Sequence, residues 1–531
     1  MRYLHTHFTK NTQMKLAKYL LLFLCFVPLL LFRDFTPNNE LKYLSIADEA
    51  LRDGHFFAFW NHGAPYADKP PLYLWIVMLG KWLFGTHNMF FLGLFSLIPA
   101  FITIHIMDKW VTPFLNGRYR NSIILMMITS GLFVGSAIVL RMDMLMCMFI
   151  VLALYTFYKC YTEKENKYAP ILLPIYIFLA VFTKGPVGIL VPIISIPVFL
   201  WWQGKIRTFG HYLGWKQWGI LLGLCFTWFG CVYIEGGKPY LNNLLFNQTV
   251  NRAVDAFHHK APFWYYLKTI WYSLAPWILL YLTAIITGIR KKLLNSDIKR
   301  FFLVIITTTF VALSIFSGKL DIYMLPIFPF IGYLAALMLP SLSERWLRIM
   351  VAIPATILAL AFPGYFIALY TIEFPFTPTI LHPLSTFVLT TGSICALYFL
   401  YRKQLLPAIN SMAIGLLITV FVGSFTIPAL NPMIGFKAIT TKAEALAHER
   451  NIEKYHYFPF RSAENMDAYL GQSVHPLNIN EIRERIGKEN FILFVRDKER
   501  KRNPELHDLT GNTESYLIGG YWIFVFSSNP K

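Results

Sequence analysis

Charged side chains are scarce in this chain, and that scarcity is the first property that narrows its class. Asp, Glu, Lys and Arg make up 15% of the 531 residues, whereas 56% are hydrophobic and 17% are aromatic. Soluble domains carry roughly 25% charged residues, so the composition excludes the ordinary soluble classes. Repeated apolar runs have the length needed to cross a hydrocarbon core of about 30 Å. The sequence therefore predicts a polytopic membrane protein.

Several motifs of soluble and energy-coupled enzymes are also missing. The six cysteines lie in or beside apolar runs and form no C-x-x-C pair, which argues against a disulfide framework or a cysteine metal site. The chain has no P-loop lysine motif, no G-x-S-x-G and no H-E-x-x-H. Nucleotide-driven transport and hydrolysis by a catalytic triad consequently have no support.

Acidic residues are the scarcer of the two charge types. The chain has 29 Asp and Glu against 48 Lys and Arg, which gives a formal net charge of +19. In a membrane protein this excess is typical of basic cytoplasmic loops, so nucleic acid is not an expected partner. The basic clusters fall in every second turn between the apolar runs, which predicts a cytoplasmic N-terminus and a C-terminus on the opposite face.

The apolar runs predict about thirteen transmembrane helices. Arg33 and Asp34 follow the first run where a signal peptidase would need small residues, so we expect that run to remain as a helix. The short run at 72–85 is interrupted by Lys81, and counting it as a span would break the charge pattern; we expect it to lie along the membrane surface. The predicted spans are 16–32, 88–107, 121–139, 143–160, 169–182, 186–202, 217–234, 266–289, 300–317, 321–339, 347–370, 384–401 and 408–428.

The polar tail is predicted to be a separate domain. We divide the chain into a membrane domain at 1–436 and a small soluble α/β domain at 437–531 on the non-cytoplasmic face. Within the tail, Phe491–Val495 and Tyr521–Phe526 have the pattern of strands, and Asn480–Ile486 has that of a helix. The tail has no functional motif of its own.

The first non-cytoplasmic loop, 33–87, contains an unusual set of charges. Apolar residues recur at helical spacing from 40 to 53 and Gly54 is a suitable stop, so we expect an amphipathic surface helix there. Two interpretations of its start remain open. In one, Asn39 caps the helix, Glu40 complements its dipole and Lys42 is solvated. In the other, Glu40 faces a polar cavity as a base and Lys42 binds an anionic group.

Two further motifs place charge at the ends of spans on the same face. In Asp68-Lys69-Pro70-Pro71 the prolines fix the backbone and hold Lys69 in a defined position, which suits a phosphate. Arg141 and Asp143 interrupt two apolar runs. They are either a simple ion pair in a turn or a site in which Asp143 orients a sugar and Arg141 binds a phosphate.

Lysines recur at two other turns on this face. Lys184 precedes Gly-Pro, and Lys319 follows Gly318 in a turn that continues to Tyr323. Each lysine alone is typical of a membrane interface, and together they predict a cationic rim. The loop 235–265 contributes His258-His259, which are more typical of a solvated loop than of a metal site.

The order of these motifs resembles that of the polytopic glycosyltransferases of the GT-C class. More narrowly, it resembles the bacterial aminoarabinose transferases of lipid A and their relatives among the protein O-mannosyltransferases. The resemblance covers roughly 34–330 and implies sugar transfer from a polyprenyl phosphate carrier on the non-cytoplasmic face. The motifs are Asn-Glu-Leu-Lys-Tyr at 39–43, Asp-Lys-Pro-Pro at 68–71, Arg-Met-Asp at 141–143, Lys-Gly-Pro at 184–186 and Pro-Phe-Trp-Tyr-Tyr at 262–266.

The resemblance also implies roles for individual residues. Lys42 stands where the family usually has arginine, and Lys69 matches the lysine of its Glu-Lys-Pro-Pro motif; both would hold the carrier phosphate. Asp143 matches the second acidic residue of the site. Asp68 and His259 match two zinc-binding positions of the lipid A enzyme, and the sequence identifies no third ligand. No cofactor is therefore assigned, and a divalent metal such as zinc is left open.

One position departs from the family pattern. The first catalytic acid of the family is aspartate, and this chain has Asn39 there, so only Glu40 remains of the acidic dyad. An amide does not accept a proton at neutral pH. Either Glu40 or Asp143 takes the catalytic role, or the acceptor is already an anion such as a lipid phosphate, or this branch is inactive or has another activity.

The expected function is an inverting glycosyltransferase in the inner (plasma) membrane, with its active site facing the periplasm. It would move a sugar from an undecaprenyl-phosphate-type donor to lipid A or a related glycolipid, while Lys42, Lys69 and Arg141 stabilise the departing phosphate. A protein O-glycosyltransferase and a lipid or solute transporter are the alternatives. The remaining predicted substrate-binding residues are Asn39, Tyr43, Lys184, Lys319 and Tyr323.

Overall fold

The described residues pack into two units in a computed structural model of the chain. The structure describes residues 17–163, 168–246 and 260–527. The first unit, here the helical unit, contains residues 17–28, 67–73 and 90–423. The second, here the mixed unit, contains residues 29–66, 74–89 and 424–527.

Helices account for most of the chain up to the tail. Apart from the four-residue helix Phe209–Tyr212, they are in chain order α1 Ala17–Phe32, α2 Lys42–Asp53, α3 Pro71–Phe84, α4 Met89–Val111, α5 Gly117–Ile128, α6 Gly131–Ile138, α7 Asp143–Thr162, α8 Ala169–Lys184, α9 Val187–Trp202, α10 Trp215–Asn242, α11 Tyr265–Ser273, α12 Ile278–Arg290, α13 Asp297–Ile315, α14 Phe328–Met338, α15 Glu344–Ala359, α16 Ala361–Thr371, α17 Leu381–Tyr401, α18 Leu405–Ser424, α19 Ile427–Ile434 and α20 Lys437–Arg450. A two-stranded hairpin, β1 Trp60–Asn61 with β2 Ala64–Pro65, lies in the first loop.

The length and apolar composition of these helices make the protein a multi-pass membrane protein. Eight of the described helices are long enough to cross a membrane, and the number is eleven if each bent helix pair is one span. The apolar helices α8 and α9 have only 16 residues each and are not among them. Together with the eleven they would make the predicted thirteen, and that number stays a prediction.

Two of the predicted straight spans are bent in the structure. The run predicted as 266–289 divides into α11 and α12, with a bend of 117° between them. The run predicted as 121–139 divides into α5 and α6, with a bend of 64°. Pro276 lies in the first break and lacks the N–H that a continuous helix needs. The breaks contact each other, because Gly131 N–H donates to Ala275 O at 2.8 Å.

The core of the helical unit is built around the segment Asp321–Ser341, which contains α14 and is the most deeply buried of the candidate spans. Trp110 of α4 packs against rings from three other helices. Its ring centroid lies 5.4 Å from that of Tyr158, 5.0 Å from that of Phe302 and 6.1 Å from that of Phe330. These contacts fix α4 against α7, α13 and α14.

The tail forms the predicted small α/β domain. Apart from the four-residue helix Asp467–Leu470, its strands and helices are β3 Tyr455–Tyr457, β4 His475–Pro476, α21 Ile479–Arg485, β5 Phe491–Arg496, α22 Asp497–Arg502, α23 Pro504–Leu509, β6 Glu514–Ile518 and β7 Tyr521–Phe526. The sheet order is β4-β3-β5-β7-β6; β3 is parallel to β4 and β5, whereas β7 is antiparallel to β5 and β6. The core contains Leu493 and Phe524, which pair across β5 and β7. The two predicted strands and the predicted helix are confirmed to within one residue.

Packing within the mixed unit does not follow the predicted boundary at 436/437. Buried Asp34, at the start of the first loop, accepts hydrogen bonds from Lys437 N–H at 3.0 Å and from the Tyr469 hydroxyl. Asn465 donates to Pro37 O at 3.0 Å. The first loop therefore packs with the tail, and the division into two sequence domains stays a prediction.

Candidate functional site

A cluster of charged side chains in the helical unit gathers at helix ends. We call Lys69, Arg141, Asp143, Lys184 and Tyr323 the Asp143 cluster. Asp143 is the first residue of α7 and Lys184 is the last residue of α8. The partial positive charge of a helix N-terminus favours a carboxylate and the partial negative charge of a C-terminus favours an ammonium, so both termini support these charges.

Asp143 is buried and both of its carboxylate oxygens are engaged. Arg141 Nε donates to Oδ2 at 3.0 Å, and the Lys184 ammonium forms an ion pair with Oδ1. The Lys184 side chain is also buried, with 7% of its surface exposed. A buried carboxylate held by two cations orients those cations, because moving either one would leave uncompensated charge.

Tyr323 and Lys69 complete the cluster. The Lys184 ammonium lies 4.7 Å from the centroid of the Tyr323 ring, a cation–π contact. Lys69 is close enough to interact electrostatically with both Asp143 and Lys184. Its ion pair with Asp68, at 3.5 Å, is longer than the roughly 2.7–2.9 Å of a strong charge-assisted bond.

The charge balance of this region favours an anionic ligand. Among the described side chains of the cluster and its neighbour Asp68, three cations, Lys69, Arg141 and Lys184, face two carboxylates, Asp68 and Asp143. The excess of one positive charge lies where side chains are partly buried and screening is weak. Guanidinium and ammonium groups are the donors that proteins use to bind phosphate.

Ser96 is a positioning residue that the sequence analysis did not identify. Its hydroxyl donates to Arg141 O at 3.2 Å and to Val139 O at 2.8 Å, which ties α4 to the turn before α7. A buried serine in an apolar helix is common, so the sequence alone did not single it out. Its positioning role is visible only from its hydrogen-bond partner, which lies 45 residues away.

Lys319 is not part of a cationic rim, and that prediction is wrong. The side chain is 3% exposed, and its ammonium donates to the backbone carbonyls of Ala261, at 3.0 Å, and Phe316. Burial lowers the pKa of Lys319 below its usual value. The side chain fastens two turns together, because carbonyl oxygens replace the water that it loses.

Glu40 lies in the mixed unit and is fully buried in an ion pair with Arg33. The guanidinium donates to both carboxylate oxygens, at 2.6 Å and 2.7 Å, and Thr36 N–H donates to Oε2 at 2.7 Å. Bidentate pairing of this kind stabilises the ionised carboxylate. The geometry favours a structural role for Glu40 over the predicted role of a base in a polar cavity.

The start of helix α2 also differs from the prediction. A wide helical turn, Pro37–Leu41, precedes α2, so Asn39 lies inside the turn and is not an N-cap. Asn39 is exposed, and its carbonyl accepts from Lys42 N–H. The Lys42 ammonium lies 4.6 Å from the centroid of the Tyr66 ring. The predicted end is confirmed, because Gly54 takes the left-handed conformation that stops the helix.

The remaining predicted residues are placed as follows. Tyr43 is buried in α2. Asp68 contacts Lys69, whereas His259 lies outside the described residues. Among residues 17–163, 168–246 and 260–527, no group of three His, Cys, Asp or Glu side chains could hold a metal. All six cysteines are unpaired thiols.

Comparison with known proteins shows that this chain is similar to membrane glycosyltransferases. The family model described as dolichyl-phosphate-mannose-protein mannosyltransferase matches residues 68–228, a range that includes Lys69, Arg141, Asp143 and Lys184. The undecaprenyl phosphate-alpha-4-amino-4-deoxy-L-arabinose arabinosyl transferase of Wigglesworthia glossinidia brevipalpis is 28% identical over 339 residues. That match covers 60% of this chain and 58% of the relative, so the chain spans less than two thirds of that curated relative.

Solved structures show the fold. The crystal structure of ArnT from Cupriavidus metallidurans bound to undecaprenyl phosphate has a TM-score of 0.76 to this chain at 17% identity, and covers 98% of this chain and 100% of that one. The archaeal oligosaccharyltransferase AglB from Archaeoglobus fulgidus, in complex with an inhibitory peptide and a dolichol-phosphate, has a TM-score of 0.53 at 12% identity over 97% of this chain and 74% of that one. The predicted GT-C fold and the resemblance to the lipid A aminoarabinose transferases are confirmed.

Proposed function

We propose that this protein is an integral membrane glycosyltransferase that moves a sugar from an undecaprenyl-phosphate-type carrier to lipid A or a related glycolipid. The observation that carries the proposal is the Asp143 cluster, in which Lys69, Arg141 and Lys184 surround one buried carboxylate. The sequence identity of 28% to one aminoarabinose transferase supports a sugar donor of this carrier-linked class.

The cluster suits the departure of a phosphate from the anomeric carbon. As the glycosidic bond breaks, negative charge grows on the carrier phosphate, and preorganised cations stabilise that charge without further reorganisation. Lys69 and Arg141 would contact the phosphate, and Asp143 would hold Arg141 and Lys184 in position. The resemblance adds Lys42 as a further phosphate ligand. Direct displacement by the acceptor inverts the configuration, and the carrier bond supplies the energy.

The acceptor is proposed to be an anion, in particular a lipid phosphate. A hydroxyl acceptor benefits from a general base. None of the residues predicted as catalytic acids is an unpaired carboxylate that could take this role. Glu40 is paired with Arg33, Asp143 is paired with Arg141 and Lys184, and Asn39 replaces the aspartate of the family. A phosphate monoester needs no such base because it is already ionised.

The cellular arrangement is part of the same proposal. The protein lies in the inner membrane with its active site facing the periplasm, because the basic turns follow the positive-inside rule with a cytoplasmic N-terminus. The membrane domain at 1–436 would carry the reaction, and the soluble domain at 437–531 would lie in the periplasm. No step is assigned to a metal. The two residues that the resemblance matches to zinc-binding positions are Asp68 and His259, and only Asp68 lies in the described part of the chain.

Mass spectrometry of lipid extracts tests the proposal. Cells that express the protein should contain a glycolipid whose mass exceeds that of the unmodified form by one sugar residue, and deletion of the gene should remove that species. Re-expression of the wild-type chain should restore it. Identical lipid profiles in all three strains would contradict the proposal.

Two alternatives give different outcomes in the same strains. A protein O-glycosyltransferase, which the mannosyltransferase description of residues 68–228 favours, would leave the lipids unchanged and remove a sugar from secreted proteins. A transporter would change the distribution of a lipid without forming a new species. Transporters hold their charged sites near the bilayer midplane, whereas Asp143 and Lys184 lie at helix ends, which argues against transport.

A further inference from the structure

A further cavity, with charged side chains at one end, lies toward the C-terminal end of α4. It has a volume of about 1150 Å³ and lies between the start of α1, the end of α4 and the start of α5, all within the helical unit. Ser96 of α4 contacts the Arg141 turn, and Asp108 lines the cavity twelve residues further along that helix, which corresponds to about 18 Å. The cavity is therefore separate from the site described above.

The mouth of this cavity has an excess of positive charge. Arg120 neutralises Asp108 through two bonds, from Nε at 2.8 Å and from Nη2 at 2.5 Å. Lys18 donates to Asn121 Oδ1 at 2.8 Å, a neutral partner. Lys109 is exposed, and within the described residues no acidic side chain pairs with it. Asp108 also attracts Lys18, but among the described residues that line the cavity the three cations Lys18, Lys109 and Arg120 face this one carboxylate.

The inner part of the cavity is apolar and open toward the outside of the helix bundle. Phe23 and Phe101 line it from α1 and α4, with ring centroids 5.6 Å apart. Ile98 and Ile102 are exposed by 44% and 37% on the same face of α4 as Lys109. In a helix, positions separated by three or four residues share one face, so the cationic mouth continues directly into an apolar groove.

We propose that this cavity binds an acidic membrane phospholipid, with its phosphate between Lys18 and Lys109 and an acyl chain along Phe23, Ile98 and Ile102. A basic pocket between transmembrane helices at the level of the headgroups, followed by an apolar groove, matches the chemistry of such a lipid. A free inorganic phosphate would leave the groove without a ligand. With the predicted topology the site faces the cytoplasmic leaflet, on the side opposite to the proposed reaction. The inference goes beyond the proposed function and does not rest on it.

Native mass spectrometry of the purified full-length protein, titrated separately with dioleoyl phosphatidylglycerol and dioleoyl phosphatidylcholine, tests this site. We expect the wild-type protein to bind phosphatidylglycerol at least fivefold more tightly. Each lysine near an anionic headgroup contributes about 1 kcal/mol, or roughly fivefold in affinity. The double variant Lys18→Gln/Lys109→Gln should therefore lose the preference, whereas Lys291→Gln, which changes an exposed lysine that does not line the cavity, should keep it.

A variant in the apolar groove tests the contact with the acyl chain and leaves both lysines unchanged. Ile102→Trp fills the space beside Phe101 and should weaken the binding of phosphatidylglycerol severalfold while both lysines remain. Inorganic phosphate at millimolar concentration should not displace the lipid. Equal binding of the two lipids by the wild-type protein, an unchanged preference in the double lysine variant, or displacement by inorganic phosphate would each overturn the proposal.

Discussion

At the scale of single residues, the contacts of Asp143 decide how the candidate site is interpreted. Its two oxygens hold Arg141 and Lys184, and Tyr323 covers the ammonium of Lys184. We infer that a carboxylate in this position organises cations and is not the base, because both oxygens already accept charge-assisted bonds. Lys69, with a longer contact to Asp68, is the member best placed to change its partner when a phosphate binds.

Lys69→Ala should abolish most of the glycosyl transfer. Removing one donor that stabilises charge in the transition state costs roughly 10²–10³-fold in kcat. The measurement is the rate of sugar transfer in membranes with equal amounts of protein. The control is Lys81→Ala, which removes a neighbouring lysine that pairs with Asp48 at 3.0 Å in the mixed unit. Equal losses in the two variants would contradict a specific role for Lys69.

Asp143→Asn should destabilise the protein as well as inactivate it. The substitution leaves the buried Lys184 ammonium without its partner, and breaking a buried ion pair costs about 3–5 kcal/mol. The double variant Asp143→Asn/Lys184→Met removes both charges and should recover most of the thermal stability without recovering transfer. Thermal unfolding and transfer are measured on the same preparations. If the double variant were active, the cluster would have only a structural role.

Asn39→Asp should be tolerated and should not reduce transfer. The side chain is exposed in the turn before α2, so an added carboxylate is solvated at little cost. If the natural acceptor is an anion, the new carboxylate adds no essential base and transfer stays within about twofold of the wild type. Complete loss of transfer at normal protein levels would instead give the amide a role of its own.

Sequence reasoning predicted some of these residues and missed others for physical reasons. Arg141 and Lys184 were found because charge at the end of an apolar run is costly unless it is used or paired. The pair of Arg33 with Glu40 was missed, because Arg33 follows the end of α1 and Glu40 lies in the turn before α2, and only the fold of this connection joins them. Lys319 was misjudged because its partners are backbone carbonyls, which no sequence pattern reveals.

Among helices and turns, the two broken segments are the features that the hydropathy pattern could not resolve. An apolar run predicts burial in lipid or protein, but it does not distinguish one straight helix from two that meet at an angle. The junctions of α5–α6 and α11–α12 are joined by Gly131 N–H to Ala275 O at 2.8 Å and by Trp277 Nε1 to Thr129 Oγ1 at 2.9 Å. These partners are about 150 residues apart.

Gly131→Ala should destabilise this junction. A Cβ at position 131 would lie 2.7 Å from Tyr272 O, a backbone atom that cannot rotate away. Overpacking of this kind costs about 1–3 kcal/mol. Gly135→Ala on the same helix is the matched control, because its Cβ would meet nothing within 4 Å and alanine favours a helix. The apparent Tm of the purified protein should fall in the first variant and not in the second.

At the scale of the whole molecule, the first loop and the tail pack together in the mixed unit. Asp34, Pro37 and Ser45 in the loop contact Lys437, Asn465 and Asp467 in the tail. The predicted two-domain division followed the change in composition near 436, which is visible in the sequence. The residues in contact are more than 400 positions apart in the sequence, as are Ser45 and Asp467. No local sequence pattern predicts such contacts.

The contact between His62 and Asp467 should make the stability of the mixed unit depend on pH. His62 Nε2 lies 3.0 Å from Asp467 Oδ2. Partial burial acts to lower the pKa of His62, but the hydrogen bond and the charge of Asp467 raise it above its usual value. A raised folded-state pKa means that this stabilisation is present below about pH 6.5 and is lost as the pH rises through the folded-state value.

The variant His62→Gln should therefore lower the apparent Tm more at pH 5.5 than at pH 8.5. Thermal unfolding of the full-length protein at the two pH values measures the difference. His507→Gln, which changes an exposed histidine of the tail, is the control and should show the same small effect at both values. A loss of stability in His62→Gln that is independent of pH would contradict the role of the charged contact.

The central claim is that the protein transfers a sugar from a polyprenyl phosphate to a phosphate-bearing glycolipid. The most direct measurement uses purified protein in proteoliposomes with a polyprenyl-phosphate-linked sugar and either lipid A or its dephosphorylated form, with products identified by mass spectrometry. We predict transfer to lipid A, with inverted anomeric configuration, and little or none to the dephosphorylated acceptor or with Lys69→Ala. Absence of transfer from the carrier to any glycolipid by the folded wild-type protein would contradict the account.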